Sequence, residues 1–145
     1  MAAVRLLIDS GATAWDWALQ GAAECGHISI VRFMLKKGAA NLHLGMSSAA
    51  QGGNLDIVQL LFDQGATHYD SGLVGAAEGG QIAMMHLMFD RGANHLAGGL
   101  WGAAKGGHMP AVQLMIARGA NNWDSGMRGA AEGGGAYAHP SVHDR

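Results

Sequence analysis

Leu44 to Ala66 reads LGMSSAAQGGNLDIVQLLFDQGA, and its main features recur along the chain at one interval. The Ala49-Ala50 pair has counterparts beginning at 22, 76, 103 and 130. The closing Gly65-Ala66 has counterparts beginning at 11, 38, 92 and 119. Every step is 27 residues. Self-similarity at a fixed period of this size marks a stacked repeat protein, in which each unit buries its neighbours rather than feeding one central core.

Working outward from that stretch, full units span 13–39, 40–66, 67–93 and 94–120. A half repeat covers 1–12 and another covers 121–134, leaving 135–145 as a tail. Val4 to Ile8 falls in register with Val31 to Leu35, Val58 to Phe62, Met85 to Phe89 and Val112 to Ile116. The chain therefore opens on the second helix of a unit whose first is missing, as a fragment or as an N-terminal cap. At the other end His139 and Pro140 fall in mid-helix register. Proline there costs about 3 kcal/mol, so the tail is expected to be irregular.

Each unit holds two short helix candidates. The first, helix A, is expected over roughly 17–24, 44–51, 71–78, 98–105 and 125–132. Asp16, Asp70 and Asp124 stand just ahead of three of these, as N-caps accepting from first-turn amides. Trp15, Leu42, Tyr69, Leu96 and Trp123 precede that position, where a hydrophobic staple would sit. Leu19, Ala22 and Ala23 point inward, with Met46, Leu73, Leu100 and Met127 at the leucine position. The slot before the alanine pair is Gly21, Ser48, Gly75, Gly102 and Gly129. Glycine inside a helix costs about 1 kcal/mol relative to alanine, so small residues repeated here imply close helix packing. Helices of about eight residues do not persist alone and would form only when stacked.

The turn follows, with Gly26 and the second glycine of each later Gly-Gly expected at positive φ. His27, Asn54, Gln81 and His108 come next, placed to hydrogen-bond loop groups. Helix B, for example Ile28 to Lys36, is apolar over a broad surface, as suits a helix sandwiched between neighbours. Pro110 lies in the first turn of its helix, where proline is tolerated. The predicted fold class is an all-α helical repeat solenoid.

Bulk properties exclude several classes of function. Hydrophobic residues make up 49% of the chain and charged ones 14%, enough to bury a stack. A net charge of −2 with scattered Lys and Arg, only Lys36-Lys37 being adjacent, argues against a nucleic-acid footprint. Cys25 is the single cysteine, so neither an internal disulfide nor a CxxC metal pair exists. No apolar run approaches the roughly 18–20 residues that cross a bilayer, and no membrane partner is expected. A cytoplasmic location follows as the expectation.

With turn and helices laid out, the pattern L-x-x-A-A-x-x-G-H-x-x-x-V-x-x-L-L-x-x-G-A resembles the helical part of the ankyrin repeat, over residues 4 to 134. The family's units usually run to about 33 residues. Here the connection before helix A shrinks to THYDSGL or NNWDSGM, which implies that the family's β-hairpin finger is reduced to a loop. Short glycine-rich units of this kind resemble ankyrin proteins of large amoeba-infecting DNA viruses, which would put the chain in a host cytoplasm.

No catalytic constellation, cofactor motif or metal set stands out. His27 and His108 occupy the slot of the family's structural histidine. His139 and His143 are four apart but flank Pro140, and two ligands make a poor zinc site. Cys25 replaces a glycine of the other units with nothing beside it to activate a thiolate. The Gly-Gly turns follow helices and lack the Lys-Ser/Thr of a phosphate loop. The expected function is a non-catalytic protein-interaction module, whose partner contacts come from the positions that vary between units. On helix A these are Gln20, Ser47, Val74, Trp101 and Arg128, with Glu24, Gln51, Glu78 and Lys105 four residues on and so on the same face. The resemblance places this face along the concave groove. Trp101 with Lys105 is the preferred anchor, as an exposed tryptophan suits a binding hot spot. Trp17 and Leu44 at the helix start come second. One alternative is end-to-end self-assembly through the two half repeats into a filament or oligomer. Another is the substrate-recognition subunit of a larger complex such as a ubiquitin ligase.

Overall fold

A computed structural model of the chain describes residues 1–134. The tail expected to be irregular, with His139, Pro140 and His143, lies outside the described residues. Ten α-helices follow one another in order: α1 (Ala2–Asp9), α2 (Trp15–Cys25), α3 (Ile28–Lys37), α4 (Leu42–Gln51), α5 (Leu55–Asp63), α6 (Tyr69–Glu78), α7 (Ile82–Asp90), α8 (Leu96–Gly106), α9 (Met109–Ala117) and α10 (Trp123–Gly133). Among the described residues there is no strand, so the shortened connection is a loop. The even-numbered helices are the A helices and the odd-numbered ones the B helices. From α4 on, each A helix packs on the A helix before it, and α2, α4, α6 and α8 each pack on the B helix that follows.

Both kinds of helix end the same way. Gly53 leaves α4 at φ +73°, and the Asn54 N–H donates back to the Ala49 carbonyl at 2.9 Å. Gly65 leaves α5 at φ +89°, and the Ala66 N–H donates to the Leu61 carbonyl at 2.9 Å. This six-residue closure satisfies carbonyls that a helix end leaves without partners, and its left-handed residue is best supplied by glycine. The sequence pattern anticipates the first of these glycines. The Gly-Ala that marks the period serves the same geometry at the other helix, and its alanines (Ala39, Ala66, Ala93, Ala120) are buried in the joint.

The A helices are spaced by backbone, not by side chains. A β-carbon on Gly75 would stand 2.1 Å from the Ser47 carbonyl oxygen, and one on Gly129 would stand 2.2 Å from that of Trp101. Four residues on, β-carbons on Gly52, Gly79, Gly106 and Gly133 would stand 2.1 to 2.2 Å from the carbonyls of Glu24, Gln51, Glu78 and Lys105. In α6, α8 and α10 two glycine slots at i and i+4 share one helix face, which lies flush on the preceding helix, while in α4 the first of the two is the small Ser48. The close packing expected from the small residues is therefore present. The B helices instead turn Ile, Val, Leu, Met and Phe side chains into the core and approach one another less closely. A stack closer along one row than along the other curves toward the closer row. The A row is the inner side.

Between the rows lies a continuous core in which Leu19, Met34, Met46, Ile57, Leu61, Leu73, Met85, Met88 and Met115 are fully buried. Burying one such side chain stabilises the fold by about 1.5–3 kcal/mol. Met127, expected inward with Leu19 and Met46, is 73% exposed. Among the described residues no B helix follows α10, so nothing covers that side.

Helix A begins two residues earlier than the sequence reading has it, and this changes the role of the aspartates. The N-cap positions are Ala14, Asn41, His68, His95 and Asn122, and Trp15, Leu42, Tyr69, Leu96 and Trp123 are the first helical residues. Asn41 Oδ1 accepts from Leu44 N–H at 3.1 Å, and Asn122 Oδ1 from Ser125 N–H at 3.2 Å. Asp16 and Asp70 are not caps. Asp16 Oδ1 accepts from the backbone N–H groups of Ala40 and Asn41, both at 2.9 Å. Asp70 Oδ1 accepts from those of Asn94 and His95, at 2.8 and 3.0 Å. Each carboxylate thus clamps the loop of the next unit. At the intervening joint the same slot is His43, whose Nδ1 lies 2.7 Å from Ser71 Oγ. Asp124 also lies within its helix, in the first turn.

Candidate partner-binding face

The variable slots of the A helices come together as a strip along the inner side of the stack, because every A helix has the same register on its predecessor. Their exposure is lower than the sequence suggests. Gln20, Ser47, Gln51, Val74, Glu78, Trp101 and Lys105 are half-buried, while Glu24 and Arg128 are exposed. Glycine-limited spacing leaves little room between adjacent helices, so a side chain in these slots lies partly against its neighbour.

Trp101 is the main correction. Expected as an exposed anchor, it is half-buried, and its indole Nε1 is buried without an acceptor among the described residues. Trp17 and Trp123 are the exposed tryptophans, and of these Trp17, at 77%, is in the first turn of α2, with Leu44 half-buried in the equivalent slot of α4. Lys105 Nζ lies 4.8 Å from the Trp101 ring centroid and 3.1 Å from Glu78 Oε1. Glu78 and Lys105 occupy the same slot in consecutive units, so the stack itself makes this pair. Arg128 bonds Glu132 within its own helix at 3.3 Å, an exposed contact of little energetic weight.

Two recesses open on this strip where the loops meet the helix starts. One, of about 250 Å³, is lined by His43, Ser47, Asp70, Ser71, Val74 and His95. The other, of about 260 Å³, includes Val74, His95, Gly98, Trp101, Ser125 and Arg128 in its walls. Val74 and His95 belong to both, so the recesses adjoin at the joint between α6 and α8. The walls offer hydroxyls, imidazoles, the Asp70 carboxylate, one guanidinium and the apolar side chains of Val74 and Trp101. The sequence reading missed His43, Ser71, His95 and Ser125. Their signal is the loop and first-turn slots (43, 71, 95, 125), which also vary between units.

On the opposite side a more apolar recess of about 350 Å³ lies between Leu55 and the Ala83, Met84 and Leu87 face of α7. Its marker in the sequence is the first helix B residue, Ile28, Leu55, Ile82 and Met109, apolar in every unit yet outward enough to leave Leu55 57% exposed.

The remaining singled-out residues have structural settings. Asn54 Nδ2 donates to the Ala23 and Glu24 carbonyls at 2.8 and 2.9 Å, and Gln81 Nε2 donates to the Gln51 carbonyl at 3.3 Å. The His108 ring occupies the same place against Gly80, where a β-carbon would meet it at 2.7 Å. These residues seal one unit onto the turn before it. His27 is exposed, and among the described residues no turn glycine precedes it in the stack. Cys25 is free and exposed. Among the described residues no three His, Cys, Asp or Glu side chains gather as a metal site, and no helix is long and apolar enough to cross a membrane.

The ankyrin repeat family model matches residues 10–47. That span holds α2, its turn, α3 and most of α4, with the Gly-Ala at both ends of the unit. The match is to one unit, 38 of the 145 residues. The 27-residue recurrence extends the same helix pair through the described residues, giving an ankyrin-like all-α solenoid. Ankyrin repeats generally mediate protein–protein interaction and are typically non-catalytic. No curated protein matches the chain.

Proposed function

We propose that the chain is a non-catalytic module that binds a segment of a partner protein along the inner face of its A helices. The observation that carries this reading is the Trp101 site. There a tryptophan ring lines a recess with Ser125 and Arg128, and the Lys105 ammonium, paired with the Glu78 carboxylate, lies over that ring. A half-buried aromatic with polar groups around its rim combines a surface that favours desolvation with groups that orient a polypeptide. The indole N–H adds a donor that a carbonyl of the partner could satisfy after a small movement of the ring. Trp17 and Leu44 supply a second apolar contact toward the other end of the strip, with Gln20, Glu24, Ser47 and Gln51 between the two.

A selection from a displayed random-peptide library against the immobilised chain tests this directly. Peptides that enrich should lose binding to Trp101→Ala and to Lys105→Glu, and keep it on Gln59→Ala, an exposed position of α5 on the far side. Peptides bound equally well by all four proteins would place recognition elsewhere.

A further inference from the structure

The glycine that ends each A helix against its predecessor is present at 52, 79, 106 and 133, and the equivalent slot in α2 is Cys25. We propose that Cys25 closes the outer face of α2 to any further A helix, so that a second copy of this chain cannot extend the stack there.

The geometry of the four lower joints sets the constraint. In each of them a β-carbon at this slot would stand 2.1 to 2.2 Å from a backbone carbonyl oxygen of the preceding helix, inside the 3.0 Å that real β-carbons respect. If α10 of a second copy docked on α2 in the same register, its Glu132 carbonyl would meet the Cys25 β-carbon at that distance. A side chain can rotate away from such a clash; a carbonyl held in a helix cannot. The upper slot of the same face would not object, since Gly21 meets nothing within 4 Å and matches Gly75 and Gly129. Cys25 is therefore the residue on that face that departs from the stacking pattern.

The consequence concerns assembly. A head-to-tail contact between two ends of a solenoid does not close on itself and grows into filaments. End units of repeat stacks carry altered outer faces that keep them soluble. Here a β-carbon and sulfur in place of a hydrogen suffice, because at this slot all four joints bring a backbone carbonyl to 2.1 to 2.2 Å from where a β-carbon would stand. This inference opposes the end-to-end assembly expected as an alternative from the sequence.

Sedimentation velocity over a range of concentrations, under reducing conditions, tests it on the wild type, Cys25→Ser, Cys25→Gly, Gly21→Leu and the double variant Cys25→Gly/Gly21→Leu. The wild type and Cys25→Ser should stay monomeric, since both keep the β-carbon. Cys25→Gly should gain concentration-dependent mass toward dimers and longer stacks, and the added Gly21→Leu should remove that gain. A Cys25→Gly protein as monomeric as the wild type would overturn the proposal. So would wild-type association that Gly21→Leu abolishes, a measurement that stands even if Cys25→Gly does not fold.

Discussion

The same substitution should have opposite effects at two equivalent glycines. Gly21 and Gly75 occupy one slot of helix A, two units apart, and in both places alanine gains up to about 1 kcal/mol of helix propensity. At Gly21 nothing lies within 4 Å of the new methyl group, so that gain should appear as added stability. At Gly75 the methyl group would stand 2.1 Å from the Ser47 carbonyl oxygen and 2.9 Å from the Ser47 hydroxyl. The hydroxyl can turn aside, but the carbonyl yields only if α6 lifts from α4 by close to an ångström. That movement would also break the fit at Gly79, on the same face of α6. Overpacking of this kind costs about 1–3 kcal/mol, and a backbone obstacle belongs at the upper end. The net expectation for Gly75→Ala is a loss of about 1–2 kcal/mol, or about 2–8 °C in melting temperature. Gly21→Ala should move the midpoint upward. Thermal and guanidinium unfolding followed by far-ultraviolet circular dichroism reads both. If Gly75→Ala were neutral or stabilising like Gly21→Ala, the backbone spacing of the A helices derived above would be wrong.

Other tests address the joints and the site. Asp70→Ala removes the acceptor of two backbone amides and should cost about 1–2 kcal/mol, with faster hydrogen exchange at Asn94 and His95. Asp124→Ala, which has no such clamp among the described residues, should cost less than Asp70→Ala in the same unfolding assay. A double-mutant cycle on Glu78→Gln and Lys105→Met should give a coupling of about 0.5 kcal/mol that fades as salt is raised, because both side chains remain partly solvated. Leu61→Ala, in a fully buried position, should cost about 2–5 kcal/mol. Met127→Ala, at an exposed one, should change stability by less than about 0.5 kcal/mol.

The period, the helix pair, the left-handed turn glycines and the small slot before the alanine pair were legible because each is local chemistry repeated in register. The start of helix A was not. An aspartate ahead of an apolar run reads as an N-cap, yet the partners of Asp16 and Asp70 lie 24 and 25 residues ahead, across a joint no local pattern displays. Asn41 and Asn122 carried the true capping signal, weakened because that position is alanine or histidine in the other units. The i,i+4 relation did place the variable slots on one face. It could not give their depth, since the half-burial of Trp101 depends on how closely α8 lies between α6 and α10. Nor could it show that Glu78 and Lys105 touch, a pairing made only by stacking.

The flush contact between A helices separates two tasks that most folds combine. Helix spacing in a bundle ordinarily depends on the sizes of interdigitating side chains, so a change of residue on one helix shifts its neighbour. In this chain the closest approach is a glycine to a carbonyl, and the side chains at 47 and 74 come next behind it. Positions 20, 47, 74, 101 and 128 hold Gln, Ser, Val, Trp and Arg on identical scaffolding. They behave like interchangeable type in a fixed frame: the wording of the inner face can be reset one position at a time, and the frame that holds it need not be recut.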